Sequence, residues 1–254
     1  MLRLSGITKS FGTHAVLRGV DLSVEPGKSL VILGGSGSGK SVTLKCMMGF
    51  VTPDAGTISL DGDELIGLSG AERTAVNQRF GMLFQHAALL DSLPVWENAM
   101  FAPLRFGKLS RRAARREAGD WLQRVGLDPA IGDELPGGLS VGMQKRIGIA
   151  RAIAVEPAVL LFDEPTTGLD ALVGRQIDDL IRKSIEELGA AAVTITHDIS
   201  SARRIGDDVA MLYEGVIAWR GPVADLMESG HPILDQFVHG RLTGPIPVPA
   251  LPKD

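Results

Sequence analysis

The spacing of apolar residues in the first part of the chain predicts β-strands, a loop and a helix. Apolar and polar residues alternate over residues 2–4 and 20–24, as in strands that are buried on one face. Residues 29–33 form a continuous apolar run instead, which suits a strand buried on both faces. A glycine-rich loop follows, and then a predicted helix from about Lys40 to Met48.

Further strand patterns lie on both sides of a helical middle region. Residues 57–61 alternate, and residues 80–84 have the composition of a strand. From about residue 89 to 154 the pattern is helical, and apolar strands return at 159–162 and 191–196. This order predicts an α/β fold whose core is interrupted by a helical subdomain.

Local signals mark where some of these elements begin and end. Ser110 is a predicted N-cap of a helix that stops at Gly126. Apolar residues at helical spacing between 177 and 188 predict an amphipathic helix that ends at Gly189. Residues 209–219 have the pattern of a β-hairpin.

Composition narrows the class of protein. The chain has 254 residues, of which 44% are hydrophobic, and this is enough to bury a substantial core. The net charge of −4 gives no general attraction to nucleic acid, so we predict no nucleic-acid partner. No apolar run approaches the roughly 20 residues of a membrane span, and the N-terminus lacks the apolar stretch of a signal peptide. We therefore expect a cytoplasmic protein that reaches a membrane through a partner, and the lone Cys46 suits a reducing compartment.

The glycine-rich loop matches the phosphate-binding pattern G-x-x-x-x-G-K-[ST]. It follows a buried strand and opens a helix, where backbone N–H groups and the helix dipole favour an anion. Lys40 supplies a cation for the terminal phosphates, and Ser41 an oxygen for Mg²⁺. The sequence therefore predicts ATP and Mg²⁺ as cofactors. The predicted nucleotide-binding residues of this segment are Gly34, Gly35, Ser36, Gly37, Ser38, Gly39, Lys40, Ser41 and Val42.

Two carboxylates follow the apolar strand at residues 159–162. Such a strand delivers them to the carboxyl edge of the sheet, where ligands bind in open α/β folds. Asp163 suits Mg²⁺, usually through water, and Glu164 suits a general base that polarises the attacking water. The pattern is weak alone and becomes specific when it is paired with the phosphate loop.

A third segment lies just upstream of that strand. It consists of Leu139, Ser140, Val141, Gly142 and Met143, followed by Gln-Lys-Arg. It resembles the LSGGQ signature of the ATP-binding cassette (ABC) family, which in that family meets the γ-phosphate bound by the other monomer. Val141 replaces a glycine, which affects how closely the backbone approaches a phosphate, and Met143 replaces the usual glutamine.

Other family positions are filled in the expected order. By this resemblance Phe11 stacks on adenine, with Val16 as an apolar contact beneath the base; the alternative for Phe11 is a core position in the first hairpin. Gln85 resembles the glutamine that senses Mg²⁺, and His197 the switch histidine that contacts the γ-phosphate. The alternative for each of these two residues is that it is only a polar residue at the end of a strand. Gly168, Leu169 and Asp170 resemble the loop that lines the dimer interface.

The resemblance covers residues 1 to about 225. It implies a P-loop NTPase (RecA-like) core with an N-terminal antiparallel β subdomain and an inserted helical subdomain at about 88–155. The ATPase domain is predicted to span 1–240 and a proline-rich tail 241–254. Two copies are implied to sandwich two ATP and to drive separate integral membrane permease subunits, with Lys40, Glu164 and His197 as the catalytic set.

Two details resemble the Mla-type phospholipid-transport ATPases. They are the Gly-Met ending of the signature and a C-terminal segment whose tail reaches the other ATPase subunit in that group. This resemblance implies phospholipid cargo, an MCE-domain lipid carrier, a small STAS-domain regulator and a place on the cytoplasmic face of the inner membrane. The alternatives are an ABC ATPase of another import or export system, or a non-transport ABC ATPase. A GTPase is disfavoured because no N-K-x-D motif exists.

Two features of the helical region leave alternatives open. Arg111, Arg112, Arg115 and Arg116 form either a solvated helix face or a contact with an acidic partner or anionic lipid. Trp96 either packs in the core or belongs to a surface that faces the transmembrane partner.

Overall fold

The computed structural model describes residues 1–248. The last six residues of the predicted proline-rich tail lie outside this range. Residues 241–248, which belong to the same tail, contain no helix or strand. Gln236 holds them against their own chain, because its side-chain amide donates to the carbonyl oxygen of Ile246 at 2.9 Å and accepts from the Ile246 N–H at 2.7 Å. The predicted reach of the tail to another subunit stays a prediction.

Strands form two sheets, as the α/β prediction requires. Their bounds are β1 (Leu2–Phe11), β2 (His14–Val24), β3 (Ser29–Leu33), β4 (Ala55–Leu60), β5 (Asp63–Glu64), β6 (Phe80–Leu83), β7 (Val159–Asp163), β8 (Ala191–Ile195), β9 (Asp208–Tyr213) and β10 (Val216–Pro222). The larger sheet has the order β10-β9-β3-β8-β7-β6, and the smaller one β2-β1-β4-β5. All neighbours in the larger sheet are parallel except the predicted hairpin β9–β10.

The smaller sheet is antiparallel throughout and is built from the N-terminal alternating strands. Leu2 and Leu4 of β1 are buried while Arg3 between them is exposed, as the period of two predicts. The α/β core with an N-terminal antiparallel β part and a helical part is therefore confirmed as the fold class.

The α-helices of residues 1–248 lie between strands, except α9, which follows the last one. They are α1 (Lys40–Met47), α2 (Gly70–Asn77), α3 (Val95–Ala99), α4 (Phe101–Arg105), α5 (Arg111–Arg124), α6 (Val141–Ile153), α7 (Ala171–Leu188), α8 (Ile199–Ile205) and α9 (Pro232–Val238). Ser110 caps α5, because its hydroxyl accepts from the Ala113 N–H at 3.3 Å. The α7 helix ends at Gly189 in the left-handed conformation, as predicted.

The buried strands of the larger sheet separate two cores. Val31 and Leu33 of β3 face the helices α6, α7 and α8, whereas Leu30 and Ile32 face α1 and the antiparallel sheet. Strands β7 and β8 are buried over their apolar lengths in the same way. This two-sided burial explains why these segments are apolar runs and not alternating ones.

The arginine-rich helix α5 is tied to its own chain. Trp96 is buried, with 6% of its surface exposed, and the Arg111 and Arg115 guanidinium groups lie 5.0 and 5.3 Å from its ring centroid. Arg111 also pairs with Glu97 at 2.6 Å, and Arg115 pairs with Asp133. The structure therefore supports core packing for Trp96, and three of the four cluster arginines are paired within the chain, since Arg116 also lies 3.7 Å from the Glu117 carboxylate.

Parallel strands place their following loops at one edge. The phosphate loop follows β3, Gln85 lies two residues after β6, Glu164 directly follows β7, and His197 lies two residues after β8. The sheet therefore gathers these four segments at its carboxyl edge. No helix within residues 1–248 is long and apolar enough to cross a membrane.

Candidate nucleotide site

A cleft of about 740 Å³ lies at this edge of the larger sheet. It brings together the phosphate loop, the first hairpin and the ends of three strands. Its lining residues are Phe11, His14, Val16, Gly34, Ser36, Gly37, Ser38, Gly39, Lys40, Ser41, Val42, Gln85, Glu164 and His197. The remaining loop residue, Gly35, lines a smaller cavity of about 230 Å³ together with Ile246 of the tail. His14 is a lining residue that sequence reasoning missed.

Two glycines set the shape of the phosphate loop. A Cβ at Gly34 would lie 2.5 Å from the carbonyl oxygen of Leu212. Gly39 has a φ of 108°, and a Cβ there would lie 2.7 Å from the Leu17 side chain. Neither position accepts a larger residue without displacing its neighbours, so the loop can pass this close to the sheet because both residues are glycine. Gly39 is also the N-cap of α1, and no side chain caps the first N–H groups of this helix.

The Lys40 side chain folds back over the glycine-rich loop that precedes it. Its ammonium donates to the carbonyl oxygens of Gly34 at 2.7 Å and Gly35 at 3.0 Å, which leaves a third N–H for another acceptor. Partial burial lowers the pKa of Lys40, while the nearby Glu164 and Asp163 carboxylates oppose that shift. The Lys40 ammonium is therefore fixed among the lining residues of the cleft, where it can bind an anionic ligand.

Phe11 and Val16 stand at the other end of the cleft, on the two strands of the first hairpin. Phe11 is 51% exposed, so the alternative of a core position in the hairpin is wrong. An exposed aromatic ring beside an apolar residue offers a surface on which a planar base can stack. The cleft therefore combines an apolar part at Phe11 and Val16 with a part, formed by the glycine-rich loop and Lys40, that can bind phosphates.

Glu164 occupies a strained backbone conformation at the end of β7. Its φ of 47° lies in the left-handed region, which costs a non-glycine residue about 1–2 kcal/mol. Its carboxylate, mostly buried, lies 2.9–3.0 Å from Nδ1 of His197 and accepts from the Thr167 hydroxyl at 3.2 Å. The carboxylate is thus held at the cleft with His197, as the sequence placed it, while Thr167 is a partner that sequence reasoning missed.

Asp163 has an unusual carboxylate. Its Oδ1 atom is buried without a hydrogen-bond partner, and burial, followed by the charge of Glu164, raises its pKa. A buried acceptor that lacks a partner is costly, so such an oxygen favours a nearby cation or water. Within residues 1–248, no three His, Cys, Asp or Glu side chains are grouped closely enough to hold a metal by themselves.

The signature segment does not line the cleft of its own chain. Ser140 caps α6, because its Oγ accepts from the Met143 N–H at 3.3 Å, and Val141 beside it is 51% exposed. Gly142 is buried against α7, where a Cβ would lie 2.8 Å from the Val173 side chain. The expected helix start is therefore present, and the replacement of glycine by Val141 falls at an outward-facing position.

The segment at residues 168–170 also lies away from the cleft. Asp170 caps α7, accepting from the N–H groups of Leu172 at 2.9 Å and Val173 at 3.0 Å. Leu172 is 78% exposed. The packing of Gly142 against Val173 brings the signature helix next to α7, the helix that Asp170 caps.

Lys145 is a further residue whose position the sequence did not reveal. It is 1% exposed, on α6, and its ammonium donates to the backbone carbonyls of Gln85 and Glu164. Burial lowers the pKa of Lys145 to about 8, while Asp163 and Glu164 oppose the shift. Lys145 belongs to the Gln-Lys-Arg stretch that follows the signature, but no pattern of neighbouring residues indicates that one of these side chains is buried.

Comparison with known proteins decides the family. A family model described as ABC transporter matches residues 17–167. The chain belongs to the ABC transporter family. Among its ABC relatives, the probable ribonucleotide transport ATP-binding protein mkl of Mycobacterium leprae is 36% identical, over 96% of this chain and 70% of the relative. The chloroplastic protein TRIGALACTOSYLDIACYLGLYCEROL 3 of Arabidopsis thaliana is also 36% identical, over 97% of this chain and 75% of the relative.

Solved ABC cassettes share the fold. An ATP-binding cassette in a dimeric post-hydrolysis state, bound to ADP and Pi, superposes with a TM-score of 0.80 at 31% identity. The match covers 88% of this chain and 99% of the other. This chain is therefore an ATP-binding, ATP-hydrolysing subunit of an ABC transporter.

Proposed function

We propose that two copies of this chain close around two ATP, and that this cycle drives a permease that moves phospholipid. Each site takes its phosphate loop, Glu164 and His197 from one copy and Ser140 from the other. The ATPase domain in this proposal spans residues 1–240, with the helical subdomain at about 88–155. The observation that carries the proposal is that the predicted site is divided between two surfaces of the chain. The cleft is lined by every predicted nucleotide-binding residue except Gly35, but none of the signature residues lines it.

The geometry of the cleft supports a role for each of these residues. Lys40 and the N–H groups of the glycine-rich loop bind the phosphates, and the aromatic face of Phe11 stacks on the adenine. Glu164 accepts the proton of the attacking water, and His197, bonded to that carboxylate, orients it and contacts the γ-phosphate. Catalysis then depends on positioning and on charges near the transferred group.

The residues present fit a magnesium ion. Mg²⁺ prefers oxygen ligands, keeps several waters and binds through one or two protein groups together with substrate phosphates. Asp163 offers a buried oxygen that lacks a partner, and Ser41 in the first turn of α1 and Gln85 after β6 offer neutral oxygens. When bound, the ion would neutralise phosphate charge.

The second copy has a surface on which to pack. Val141, Leu135 and Leu172 are 51%, 54% and 78% exposed, and they lie on or near the segments that the dimer would bury. Apolar side chains exposed together in this way commonly mark an interface. The gap between Ser140 and the cleft of its own chain agrees with a site that a partner completes.

Replacing Phe11 tests where the base binds. We expect Phe11→Ala to weaken ATP binding about fivefold, since aromatic stacking is worth on the order of 1 kcal/mol. Phe11→Tyr should bind normally. Titration with a fluorescent ATP analogue measures the effect, and Phe50→Ala serves as the matched control because Phe50 is equally exposed, at 56%, but outside the cleft. Equal affinity in Phe11→Ala and the unaltered protein would remove Phe11 from the base site.

An apolar groove beside β6 is a docking place for the permease. It has a volume of about 290 Å³ and lies between the sheet and the helical region. Phe50 and Phe101 line it and are 56% and 37% exposed, while Phe84 and Phe106 complete its walls. Aromatic side chains in a concave surface are typical anchors for a partner segment. This groove adjoins Gln85 through β6, which connects docking to the nucleotide cleft.

Phospholipid is the cargo that the chain's details favour. The Gly-Met ending of the signature and the proline-rich tail support it, and one relative carries the name of a galactosylated diacylglycerol lipid. The name of the mycobacterial relative refers to ribonucleotide transport, and this is the competing cargo. In this proposal an MCE-domain lipid carrier and a small STAS-domain regulator accompany the permease at the inner membrane.

Recovery of the complex from detergent-solubilised membranes tests partner and cargo together. A tagged copy of the chain should bring down a permease, an MCE-domain protein and bound phospholipid, identified by mass spectrometry. Phe50→Ala should recover at least about fivefold less permease, because it removes an anchor of the groove, whereas Phe11→Ala should recover the normal amount. A permease with a binding protein for nucleotides, sugars or amino acids would overturn the lipid cargo and leave the ATPase assignment intact.

A further inference from the structure

Lys145 is a buried cation that the proposed reaction scheme does not use. Its side chain is 1% exposed, and lysines are almost never buried this deeply without a compensating partner, because the ammonium loses its hydration. It lies on α6, five residues after Ser140, which caps that helix. Its burial therefore needs an explanation in the contacts of the ammonium.

The ammonium joins two loops at the edge of the cleft. It donates to the carbonyl oxygen of Gln85, which follows β6, and to that of Glu164 at 3.2 Å, which follows β7. Both acceptors are backbone atoms, so the contact fixes the course of each loop whatever its side chains do. One side chain thus connects the signature helix to both segments that face the terminal phosphates.

The contact with Glu164 matters because its backbone is strained. Its left-handed conformation is held by an N–H bond to the carbonyl oxygen of Ile195 at 2.9 Å. Its own carbonyl accepts from Lys145 and, at 3.3 Å, from the Thr167 N–H. The orientation of this peptide sets the direction in which the carboxylate leaves the chain. Without Lys145 the strained residue loses one of its three backbone restraints.

We infer that Lys145 is a positioning residue for ATP hydrolysis, which holds the Glu164 carboxylate and the Gln85 loop in register with helix α6. This inference rests on the proposed role of Glu164 as the base. It adds that the signature helix acts on the base of its own chain. Because α6 is a continuous helix, a displacement of Ser140 by the partner's nucleotide is transmitted to the ammonium, and through it to Glu164.

Substitution of Lys145 in the full chain tests this. Lys145→Met keeps the length of the side chain and removes its donors, and Lys145→Gln keeps a shorter donor that reaches at most one of the carbonyls. We expect both to lower the rate of hydrolysis at saturating ATP, by about tenfold or more for Lys145→Met, since small misplacements of catalytic groups are costly. The dissociation constant for ATP should change less than about twofold, because Lys145 does not line the cleft. Lys145→Arg should restore much of the rate.

Lys108→Met is the matched control. The Lys108 ammonium also donates to a backbone carbonyl, that of Val155 at 3.3 Å, but Val155 does not line the cleft, whereas Gln85 and Glu164 do. The rate of hydrolysis by Lys108→Met should therefore be normal. Thermal unfolding shows whether each variant is folded. If Lys145→Met does not fold, the rate of hydrolysis is compared in Lys145→Gln instead. A normal rate in the folded Lys145 variants, or an equal loss in Lys108→Met, would overturn the positioning role.

The Glu164→Gln variant, measured in parallel, distinguishes a failure of this inference from a failure of the proposed role of Glu164 as the base. If Glu164→Gln is inactive and Lys145→Met is normal, the positioning role is wrong and the base assignment stands. If Glu164→Gln hydrolyses ATP normally, the base assignment fails, and with it the reason for Lys145 to act through Glu164.

Discussion

Glu164→Gln should bind ATP normally and hydrolyse it about 10²–10⁴-fold more slowly, which is the usual contribution of a general base. Glutamine has the shape of the glutamate side chain and can keep the contacts with His197 and Thr167. It cannot accept the proton of the attacking water at neutral pH. The closed dimer should therefore accumulate with ATP bound, which size-exclusion chromatography in the presence of ATP and Mg²⁺ would show, alongside a phosphate-release assay.

Glu156→Gln is the matched control for this prediction. Glu156 also has a left-handed backbone, with a φ of 51°, and it precedes β7 at the opposite end of the strand. The same change of side chain at a similar φ should leave the rate within about twofold, since an exposed surface substitution away from a site has little effect. Normal turnover in Glu164→Gln would show that another group activates the water.

Lys40→Ala should weaken ATP binding about 10- to 100-fold. A charge-assisted hydrogen bond contributes about 1.5–3 kcal/mol, and about 1.4 kcal/mol corresponds to a factor of ten in the dissociation constant. The ammonium lies on the floor of the cleft, where its free N–H faces any bound phosphate. The loss of its bonds to Gly34 and Gly35 also loosens the loop. Equilibrium titration with a fluorescent ATP analogue measures the effect directly.

Lys183→Ala controls for the loss of a positive charge. Lys183 lies exposed on α7 and pairs with Glu187 at 3.6 Å, one helical turn away. Exposed pairs of this kind contribute little, so ATP affinity should be unaltered. Lys40→Arg keeps the charge and should retain more affinity than Lys40→Ala. Unchanged ATP binding in Lys40→Ala would refute the contact with the phosphates.

Short sequence patterns predicted much of this site. The phosphate loop and Glu164 are each encoded by neighbouring residues at the end of a strand, and parallel strands end at one edge, so their meeting in a cleft could be expected. The strand at residues 29–33 and the helix caps at Ser110 and Gly189 were predicted for the same reason. The roles of the individual residues stay predictions until variants are measured.

The helical region was harder to predict in detail. Residues 89–154 have helical periodicity throughout, but the structure divides them into the short helices α3 and α4 and the longer α5 and α6. Trp96 is buried within its own chain because Arg111 and Arg115 of α5 cover its ring. Such coverage depends on how helices pack and not on the residues beside the tryptophan.

The sequence by itself determined the family and the α/β core with its helical part, and it predicted the phosphate loop, because glycine spacing, strand-end carboxylates and buried apolar runs act locally along the chain. Only the tertiary structure decided that Phe11 is exposed and that Lys145 lies buried between the carbonyls of Gln85 and Glu164. It also placed the signature on a surface apart from the cleft of its own chain. These facts arise from contacts between segments far apart in sequence, and no local pattern of residues encodes which of them will meet.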